Sequence, residues 1–342
     1  MKLKPFQKIL RDKGIDHAIF FHPDPSITYF SQFVPSTGFL LIKPRNASLF
    51  ITSLDQKPQM KGISTVILKK GWEKQLKDVK VKKVGINKSA LYLKTFEKLK
   101  KYFPKAKFVD LAKEVQELRA LKTEPEINKL SKACKITSNA FENLIDNIRK
   151  LKTEQDVAFF LEKQIKDNKG TVAFPTISAT GRNAAIPHHI TSNQKLRRGF
   201  LLLDFGAAYQ NYNADMTRVL FLGKLSKEEK QVYQQLLEVQ ECTLDQIKEN
   251  NSFVELDTFC RQKLGKQAKL FTHSLGHGIG VEVHEEPFFQ EGRKITKNQV
   301  FTIEPGVYFP RKFGLRIEDT LVFSGINKIL TTAHKELVKV KF

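Results

Sequence analysis

The apolar and polar positions in the first part of the chain alternate in the way that is typical of a small α/β unit. A basic amphipathic segment predicts a helix over residues 4–13, and helical spacing of apolar residues predicts two more over 90–101 and 111–118. Short apolar runs between them predict strands over residues 17–21, 38–42, 48–52, 65–68 and 83–86. We find no catalytic motif in this part of the sequence.

The pattern changes near residue 120, where longer helices begin. Thr123, followed three residues later by Glu126, is a helix N-cap signature. Two long helical patterns follow, over 124–149 and 153–168, and the first repeats apolar or small residues every three or four positions, which predicts one buried face. Further helices are predicted over 226–249 and 252–264, among strands and loops. We therefore predict two domains, over residues 1–120 and 121–342.

An apolar run ending in an acid opens a predicted β-hairpin in the second domain. The run leads into Asp204, a polar bend follows, and a second acid appears at Asp215. A loop centred between Tyr209 and Gln210 would place the two aspartates directly opposite each other, where like charges repel. Either a surface hairpin or a cation between the carboxylates would satisfy this pattern, and the hairpin alone leaves both interpretations open.

Composition adds limits to this picture. Hydrophobic residues make up 41% of the chain, and no apolar run approaches the roughly 18–20 residues that span a bilayer, so we expect no membrane segment. The charged N-terminal stretch has no apolar segment of the kind found in signal peptides. The three cysteines are widely spaced and form no metal-binding pair, which is typical of reduced thiols, so we expect a cytoplasmic protein.

The net charge of +22 raises nucleic acid as a partner. The lysines, however, are spread along the whole chain, and runs such as 77–83 and 94–107 are typical of solvated helix faces and loops. No RNA-binding aromatic motif or zinc-finger spacing accompanies them. We therefore do not expect nucleic acid to be the partner.

Further candidate metal ligands follow the first hairpin. Glu304 and Glu318 lie on either side of a turn-like segment over 309–314, so a second hairpin presents a second pair of carboxylates. His277 lies between two glycines, where the backbone can approach closely. Divalent cations are natural partners for several carboxylates and one imidazole, and two ions are favoured because one ion rarely takes four protein carboxylates and a reactive water.

These motifs resemble those of one known family of metallopeptidases. The segments containing DFG, NADMTR, HSLGHGIGVEVHE, TIEPGVY and LRIEDT are similar to motifs of the family that includes prolidase, aminopeptidase P and methionine aminopeptidase. The resemblance implies an α/β creatinase-type N-terminal domain followed by an α+β pita-bread catalytic domain. The family's five metal ligands correspond to Asp204, Asp215, His277, Glu304 and Glu318.

The resemblance also implies the chemistry of the site. Two divalent ions, Mn, Co or Zn, would be bridged by Asp215 and Glu318, with Asp204 on one ion and His277 and Glu304 on the other. A water acidified by both ions would attack the peptide carbonyl, and Glu304 would act as general base and then as proton donor.

Four more residues resemble family residues around the substrate. His188 and His284 correspond to histidines that flank the substrate, with His284 stabilising the developing oxyanion; a structural role in loops is the alternative for both. Arg316 and Tyr308 correspond to residues that orient the carboxylates, and packing against the hairpin is the alternative for them.

We therefore expect a cytoplasmic, homodimeric Xaa-Pro metallopeptidase that acts on proline-containing peptides. Dipeptidase relatives often carry an arginine directly after the HExP motif, and Phe288 occupies that position here, with Arg293 the nearest basic residue downstream. This departure favours peptides longer than two residues, and a strict Xaa-Pro dipeptidase is the alternative. Two further alternatives are a non-catalytic or nucleic-acid-binding protein with the same fold and a creatinase-like hydrolase.

Overall fold

The computed structural model describes residues 2–71 and 81–341. The chain forms two compact units, Met1–Arg119 and Ala120–Phe342. Within the described ranges, no helix combines the length and the apolar character needed to cross a membrane. Of the lysine-rich run over 77–83, for which a solvated face was predicted, residues 77–80 lie outside the described residues.

The first unit is built on a six-stranded mixed sheet in the order β4-β3-β2-β1-β5-β6. Its strands are β1 His17–Phe21, β2 Gly38–Ile42, β3 Ala47–Ile51, β4 Ser64–Ile67, β5 Lys83–Ile86 and β6 Lys107–Asp110. Its described helices are Leu3–Asp12, Pro25–Ser31, Leu93–Tyr102 and Ala112–Ala120, the last of which ends at the unit boundary. The five predicted strands are confirmed to within a residue, whereas β6 and the short helix Pro25–Ser31 were not predicted.

The central strand β1 is apolar from Ala18 to Phe21 because both of its faces are covered. Ile19 packs against Phe39 and Val84 on one side. Phe20 meets the rings of Phe6 and Phe30 in a separate aromatic group. The edge-proximal strand β3 instead alternates buried and half-buried residues, as expected where one face is less covered.

The second unit contains four long helices, Glu124–Asn147, Glu154–Asp167, Lys227–Asp245 and Phe253–Leu264. A capping box precedes each of them, formed by Thr123, Thr153, Ser226 and Ser252 with an acid three residues later. In the first, Glu126 accepts hydrogen bonds from the backbone N–H and the hydroxyl of Thr123 at 2.8 and 2.6 Å. The predicted N-cap is thereby confirmed, and it satisfies donors that the first helical turn leaves free.

Four sheets complete this unit, in the orders β20-β12-β9-β8, β14-β13-β15-β18-β19, β11-β10-β7 and β16-β17. The earlier strands are β7 Thr171–Val172, β8 Ile177–Thr180, β9 Gly199–Phe205, β10 Ala207–Tyr209, β11 Tyr212–Asn213 and β12 Met216–Leu222. The later strands are β13 His277–Gly278, β14 Glu285–Phe288, β15 Gln299–Ile303, β16 Gly306–Phe309, β17 Phe313–Arg316, β18 Asp319–Phe323, β19 Asn327–Ile329 and β20 Val338–Val340.

Strand β9 lies in the middle of the core, which explains its uninterrupted apolar sequence. Leu201 and Leu203 pack in the cluster formed with the first two long helices. Phe200 and Leu202 pack in the cluster formed with the last two. Because helices cover both faces, every position of the strand before Asp204 is buried, and the carboxylate appears where the strand reaches the end of this apolar layer.

The first hairpin forms as predicted, but its register differs from the prediction. Asp204 pairs with Thr217 across β9 and β12, so Asp215 lies diagonally across from Asp204 and not directly opposite it. The turn is centred on Gln210 and Asn211, one residue later than expected, and both have positive φ angles of 49° and 68°. A two-residue type I′ hairpin turn needs positive φ at both central positions, which asparagine tolerates well, and this turn chemistry determines the register.

The second predicted hairpin is confirmed. Strands β15 and β18 pair up to Ile303 and Asp319, and β16 and β17 continue the same register from Gly306 and Arg316. The turn lies between Phe309 and Phe313, within the predicted segment. Glu304 and Glu318 therefore fall on facing segments between the two ladders.

Candidate metal centre

Five separate pieces of backbone bring the predicted ligands to one cavity. Asp204 lies near the end of β9, Asp215 just before β12, His277 in β13, Glu304 just after β15 and Glu318 just before β18. All five line a cavity of about 660 Å³ in the second unit. Their positions at strand ends matter, because a strand end can aim a side chain into a cleft while the strand itself stays in the core.

Three of these residues are close enough to share one ion. One ligand atom from each of Asp215, His277 and Glu318 lies within 4.8 Å of the others, and all three side chains are buried. His277 Nε2 also lies 3.7 Å from Asp215 Oδ2 and 3.5 Å from Glu304 Oε1. A divalent cation is the group that such a set of donors fits.

Three carboxylate oxygens in the cavity support this fit. Asp204 Oδ1, Asp215 Oδ1 and Glu318 Oε1 are buried and have no hydrogen-bond partner among the described residues. The second oxygens of Asp204 and Glu318, by contrast, accept hydrogen bonds from Arg316 and Thr217. Buried carboxylate oxygens without partners are costly, and a divalent cation removes that cost. The residues present therefore fit a metal ion.

The protonation behaviour of the metal-free carboxylates points the same way. Burial, with repulsion from Glu318, raises the pKa of Asp215 and that of Glu304 well above their usual range. Burial, with the charge of Asp204, raises the pKa of Glu318 to about 8. Without a metal, these carboxyl groups would be protonated near neutral pH, and a bound cation would displace the protons.

His277 is held in the form that can bind a metal. Burial, together with the neighbouring His284, lowers the pKa of His277 to about 3, so its imidazole is neutral at physiological pH. Its Nδ1 lies 3.1 Å from the carbonyl oxygen of Gly278. An Nδ1–H that donates to this carbonyl leaves the Nε2 lone pair facing the carboxylates.

Arg316 connects the two hairpins beneath the cavity. This buried guanidinium donates to Asp204 Oδ2, to the Tyr308 hydroxyl at 2.7 Å and to Thr217 Oγ1 at 2.9 Å. Thr217 in turn donates to Glu318 Oε2 at 2.7 Å. Arg316 and Tyr308 were predicted from the sequence, whereas Thr217 was not. Together, Arg316 and Thr217 link the carboxylates of Asp204 and Glu318.

His273 is a second residue that the sequence analysis missed. Its Nε2 lies 2.9 Å from the Tyr308 hydroxyl, and its Nδ1 lies 3.7 Å from Glu304 Oε2. Burial, with the charge of Arg316, lowers its pKa to about 4. Its position in the sequence could have indicated this role, because His273 begins the glycine-rich motif that contains His277 four residues later.

The remaining predicted histidines differ in their surroundings. His188 and His284 both line the cavity and are exposed, and the His284 ring centroid lies 4.1 Å from that of His277. His189, next to His188, instead places Nε2 2.9 Å from Glu154 Oε2. The fully buried Glu154 also accepts from the backbone N–H and the hydroxyl of Ser192 in the same loop, so His189 belongs to the support of this loop.

Arg293, the candidate for gripping a substrate carboxylate, is engaged elsewhere. Its guanidinium lies 2.5 Å from Glu286 Oε1. Among the described residues that line the cavity, this part of the chain contributes Phe288, Phe289 and Gln290, but not Arg293. The wall after the HEEP segment is thus aromatic and amide in character.

Comparisons with known proteins agree with this geometry. Residues 128–324 match the model of metallopeptidase family M24, and residues 2–121 match that of the creatinase/prolidase N-terminal domain. An Xaa-Pro dipeptidase of Pyrococcus horikoshii is 33% identical over 98% of this chain and 98% of that protein.

Two solved structures extend the likeness to the fold. An X-Pro aminopeptidase of Thermotoga maritima is 34% identical, with a TM-score of 0.88 over 96% of this chain and 98% of that one. A prolidase of Pyrococcus horikoshii is 31% identical, with a TM-score of 0.90 over 98% of this chain and 99% of that one. The fold is a creatinase-type N-terminal domain followed by a pita-bread catalytic domain. The chain therefore belongs to metallopeptidase family M24 and is a metal-dependent hydrolase.

Proposed function

We propose that this protein is an Xaa-Pro peptidase that cleaves the bond between an N-terminal residue and a following proline, with two divalent ions as cofactors. The observation that carries the proposal is the set of three buried, unpartnered carboxylate oxygens that meet a neutral imidazole in one cavity. The names of the relatives, Xaa-Pro dipeptidase and X-Pro aminopeptidase, supply the substrate class.

In this proposal the ligands divide between the two ions. Asp204, Asp215, His277, Glu304 and Glu318 would hold them, with Asp215, His277 and Glu318 close enough to contribute to one ion. When bound, Mn, Co or Zn would supply Lewis acidity that polarises the scissile carbonyl and makes water a nucleophile near neutral pH. Four carboxylates of one cavity are better distributed over two ions than over one.

Glu304 is the residue that we assign to proton transfer. Its carboxylate would take the proton from the attacking water and give it to the proline nitrogen as the C–N bond breaks. Its Oε1 faces the Thr302 hydroxyl at 3.4 Å, and its Oε2 faces His273 and Arg316 at 3.7 and 3.9 Å. Polar neighbours on both oxygens hold the carboxylate in place for this task.

His284 and His188 would act on the substrate. Both lie exposed on the cavity wall, where an imidazole N–H can reach a peptide oxygen. We assign His284 to the oxyanion that develops on the scissile carbonyl, because its ring lies beside that of His277, with the centroids 4.1 Å apart. Arg316 and Tyr308 would position the carboxylates through the hydrogen bonds described above.

The proposal is tested by comparing an Xaa-Pro peptide with the matched Xaa-Ala peptide. The metal-loaded protein is expected to cleave the first and not the second. Glu304→Gln should abolish turnover, whereas Glu238→Gln, at an exposed position on the helix Lys227–Asp245, should leave it unchanged. Equal cleavage of both peptides, or full turnover by Glu304→Gln, would contradict the proposal.

We also propose that the enzyme accepts peptides longer than two residues. A dipeptide leaves a free proline carboxylate in the site, and burying it against Phe288 and Phe289 without a cation would be costly. Arg293 would have to leave Glu286 to reach it. An extended peptide has no such charge at that point, and its next residue can follow the aromatic wall.

The kcat/KM ratio between an Xaa-Pro dipeptide and the same peptide extended by one residue decides the length preference. We expect the extended peptide to be preferred, and Arg293→Ala to change neither value. A strong preference for the dipeptide that disappears in Arg293→Ala would establish the strict dipeptidase alternative, with Arg293 as the carboxylate-binding residue. A cytoplasmic homodimer remains part of the proposal, and light scattering at working concentration tests the dimer.

A further inference from the structure

A second cavity, here called the basic cavity, lies in the second unit apart from the metal centre. Its volume is about 710 Å³, and the two cavities share no lining residue. Its cationic lining consists of Arg182, Arg197, Arg198, Arg311 and Lys312. Among the described residues, no aspartate or glutamate lines it.

Most of this charge is uncompensated. Arg198 is engaged, because its guanidinium donates to Glu229 and to the carbonyl oxygen of Lys224. The other four cations form no ion pair with an acid in the part of the chain that the structure describes. Like charges around one concavity repel one another, and a concave wall of low dielectric focuses their field. In the free protein the basic cavity therefore has a strongly positive potential, and a bound anion would reduce the repulsion among its cations.

The backbone that presents two of these cations is itself unusual. Arg311 lies at the tip of the β16–β17 hairpin with a φ of 62°, in the left-handed region. Glycine or asparagine adopts this conformation more readily than arginine does. The turn nevertheless carries Arg311 and Lys312 side by side, at the mouth of the basic cavity.

We propose that the basic cavity binds a compact multivalent anion with several phosphate groups, such as a triphosphate. Arginine forks bind phosphate oxygens in a bidentate fashion. Four uncompensated cations suit a ligand of similar negative charge, and the volume exceeds what one phosphate needs. The same chemistry occurs in free inorganic triphosphate and in a nucleoside triphosphate.

Three chain segments line the basic cavity, and the one over residues 194–198 contributes Arg197 and Arg198. The other two form walls. One wall is the 3-10 helix Gly181–Ala185, whose Asn183 amide is held by the buried Glu154 at 2.8 Å. The other wall is the hairpin tip over 310–312. Because Gly314 packs directly on the carbonyl of Ala184, the two walls are held at a fixed spacing by backbone contact. The cavity is therefore formed before a ligand arrives, which lowers the entropic cost of binding.

The test is isothermal titration of the full-length, Mn²⁺-loaded protein with inorganic tripolyphosphate, at a free Mn²⁺ concentration held constant. We expect one anion per chain, with affinity that falls as salt is raised, since exposed charges are screened. Arg182→Gln combined with Arg311→Gln should weaken binding by about tenfold or more. Lys94→Gln combined with Lys98→Gln removes the same charge from an exposed helix of the first unit and should have no effect.

Two further titrations, with a metal-centre variant and with ATP, distinguish the possible binding sites and ligands. Glu318→Gln should bind tripolyphosphate as the unmodified protein does, because the metal centre is not the proposed site. Comparable affinity for ATP and tripolyphosphate would assign recognition to the phosphates alone, whereas tighter binding of ATP would add contacts to the nucleoside. Absence of binding, equal weakening in the lysine variant, or binding lost in Glu318→Gln but kept in the arginine variant would overturn the proposal.

Discussion

Removal of the metal ions should make the stability of this protein fall steeply as the pH rises. The cause is the group of buried carboxyl side chains in the metal centre, of which Glu318 is the best example. Its pKa is about 8 in the metal-free folded protein, against an ordinary value of 4.5. The folded protein therefore holds a proton that the unfolded chain has released. Stability from this proton is complete below about pH 4.5 and is lost as the pH rises through about 8.

The size of the effect follows from this difference in pKa. At about 1.36 kcal/mol for each pKa unit, Glu318 alone corresponds to roughly 5 kcal/mol of unfolding free energy. Burial moves the pKa of Asp215 and that of Glu304 in the same direction. The lowered pKa values of His273 and His277 act in the opposite sense, but only below about pH 6.5, where the imidazoles of the unfolded chain gain protons that the folded chain does not. A loss of this size is a large share of the roughly 5–15 kcal/mol that stabilises a typical domain.

Urea unfolding of the chelated protein at several pH values from about 7 to 9, above the ordinary pKa of histidine, measures the part of this effect that falls in that range. We expect the unfolding free energy to fall across the range, and saturating Mn²⁺ to remove most of the decline. Glu318→Gln should flatten the profile of the chelated protein, while Glu238→Gln, which replaces an exposed acid, should not. A flat profile in the chelated protein, or an equal slope in Glu318→Gln, would refute the reasoning.

Three substitutions test other parts of the site. His284→Ala should lower kcat by on the order of 10²–10³-fold while metal affinity changes little, because this imidazole is assigned to charge that develops only in the transition state; an unchanged kcat would return it to a structural role. Thr217→Val should weaken metal binding by about 10–100-fold, because it removes the hydrogen bond to Glu318 Oε2; unchanged affinity in a metal titration would exclude this positioning role. Lys122→Met should lower the unfolding free energy by about 3–5 kcal/mol, because it removes the buried ion pair with Glu285 at 3.0 Å; a loss below about 1 kcal/mol in urea unfolding would contradict this.

The strands of the first unit and the long helices of the second were predictable because local signals determine them. Apolar runs between polar residues define β1 and β2 at the residue level, and the capping box at Thr123 marks the start of its helix. The register of the first hairpin was not predicted, because a symmetric loop was assumed. The positive φ angles of Gln210 and Asn211 moved the turn by one residue.

The residues of the metal centre also fall into those that the sequence predicted and those that it did not. Its five proposed ligands were identified from motifs, and the structure brings them to one cavity, while their assignment to ions remains a proposal. Thr217 and His273 were not identified, because each acts on a partner distant in sequence. Thr217 contacts Glu318, 101 positions away, and His273 contacts Tyr308, 35 positions away. Such contacts depend on tertiary packing and leave no local pattern.

The most direct test of the account is a metal titration of the chelated protein, followed by hydrolysis of an Xaa-Pro-Xaa peptide. The account predicts no hydrolysis without metal, recovery with Mn²⁺ or Co²⁺ that is complete at about two ions per chain, and no recovery in a variant that lacks Asp215 and Glu318. Full peptide hydrolysis by the metal-free protein, or by that variant, would contradict it.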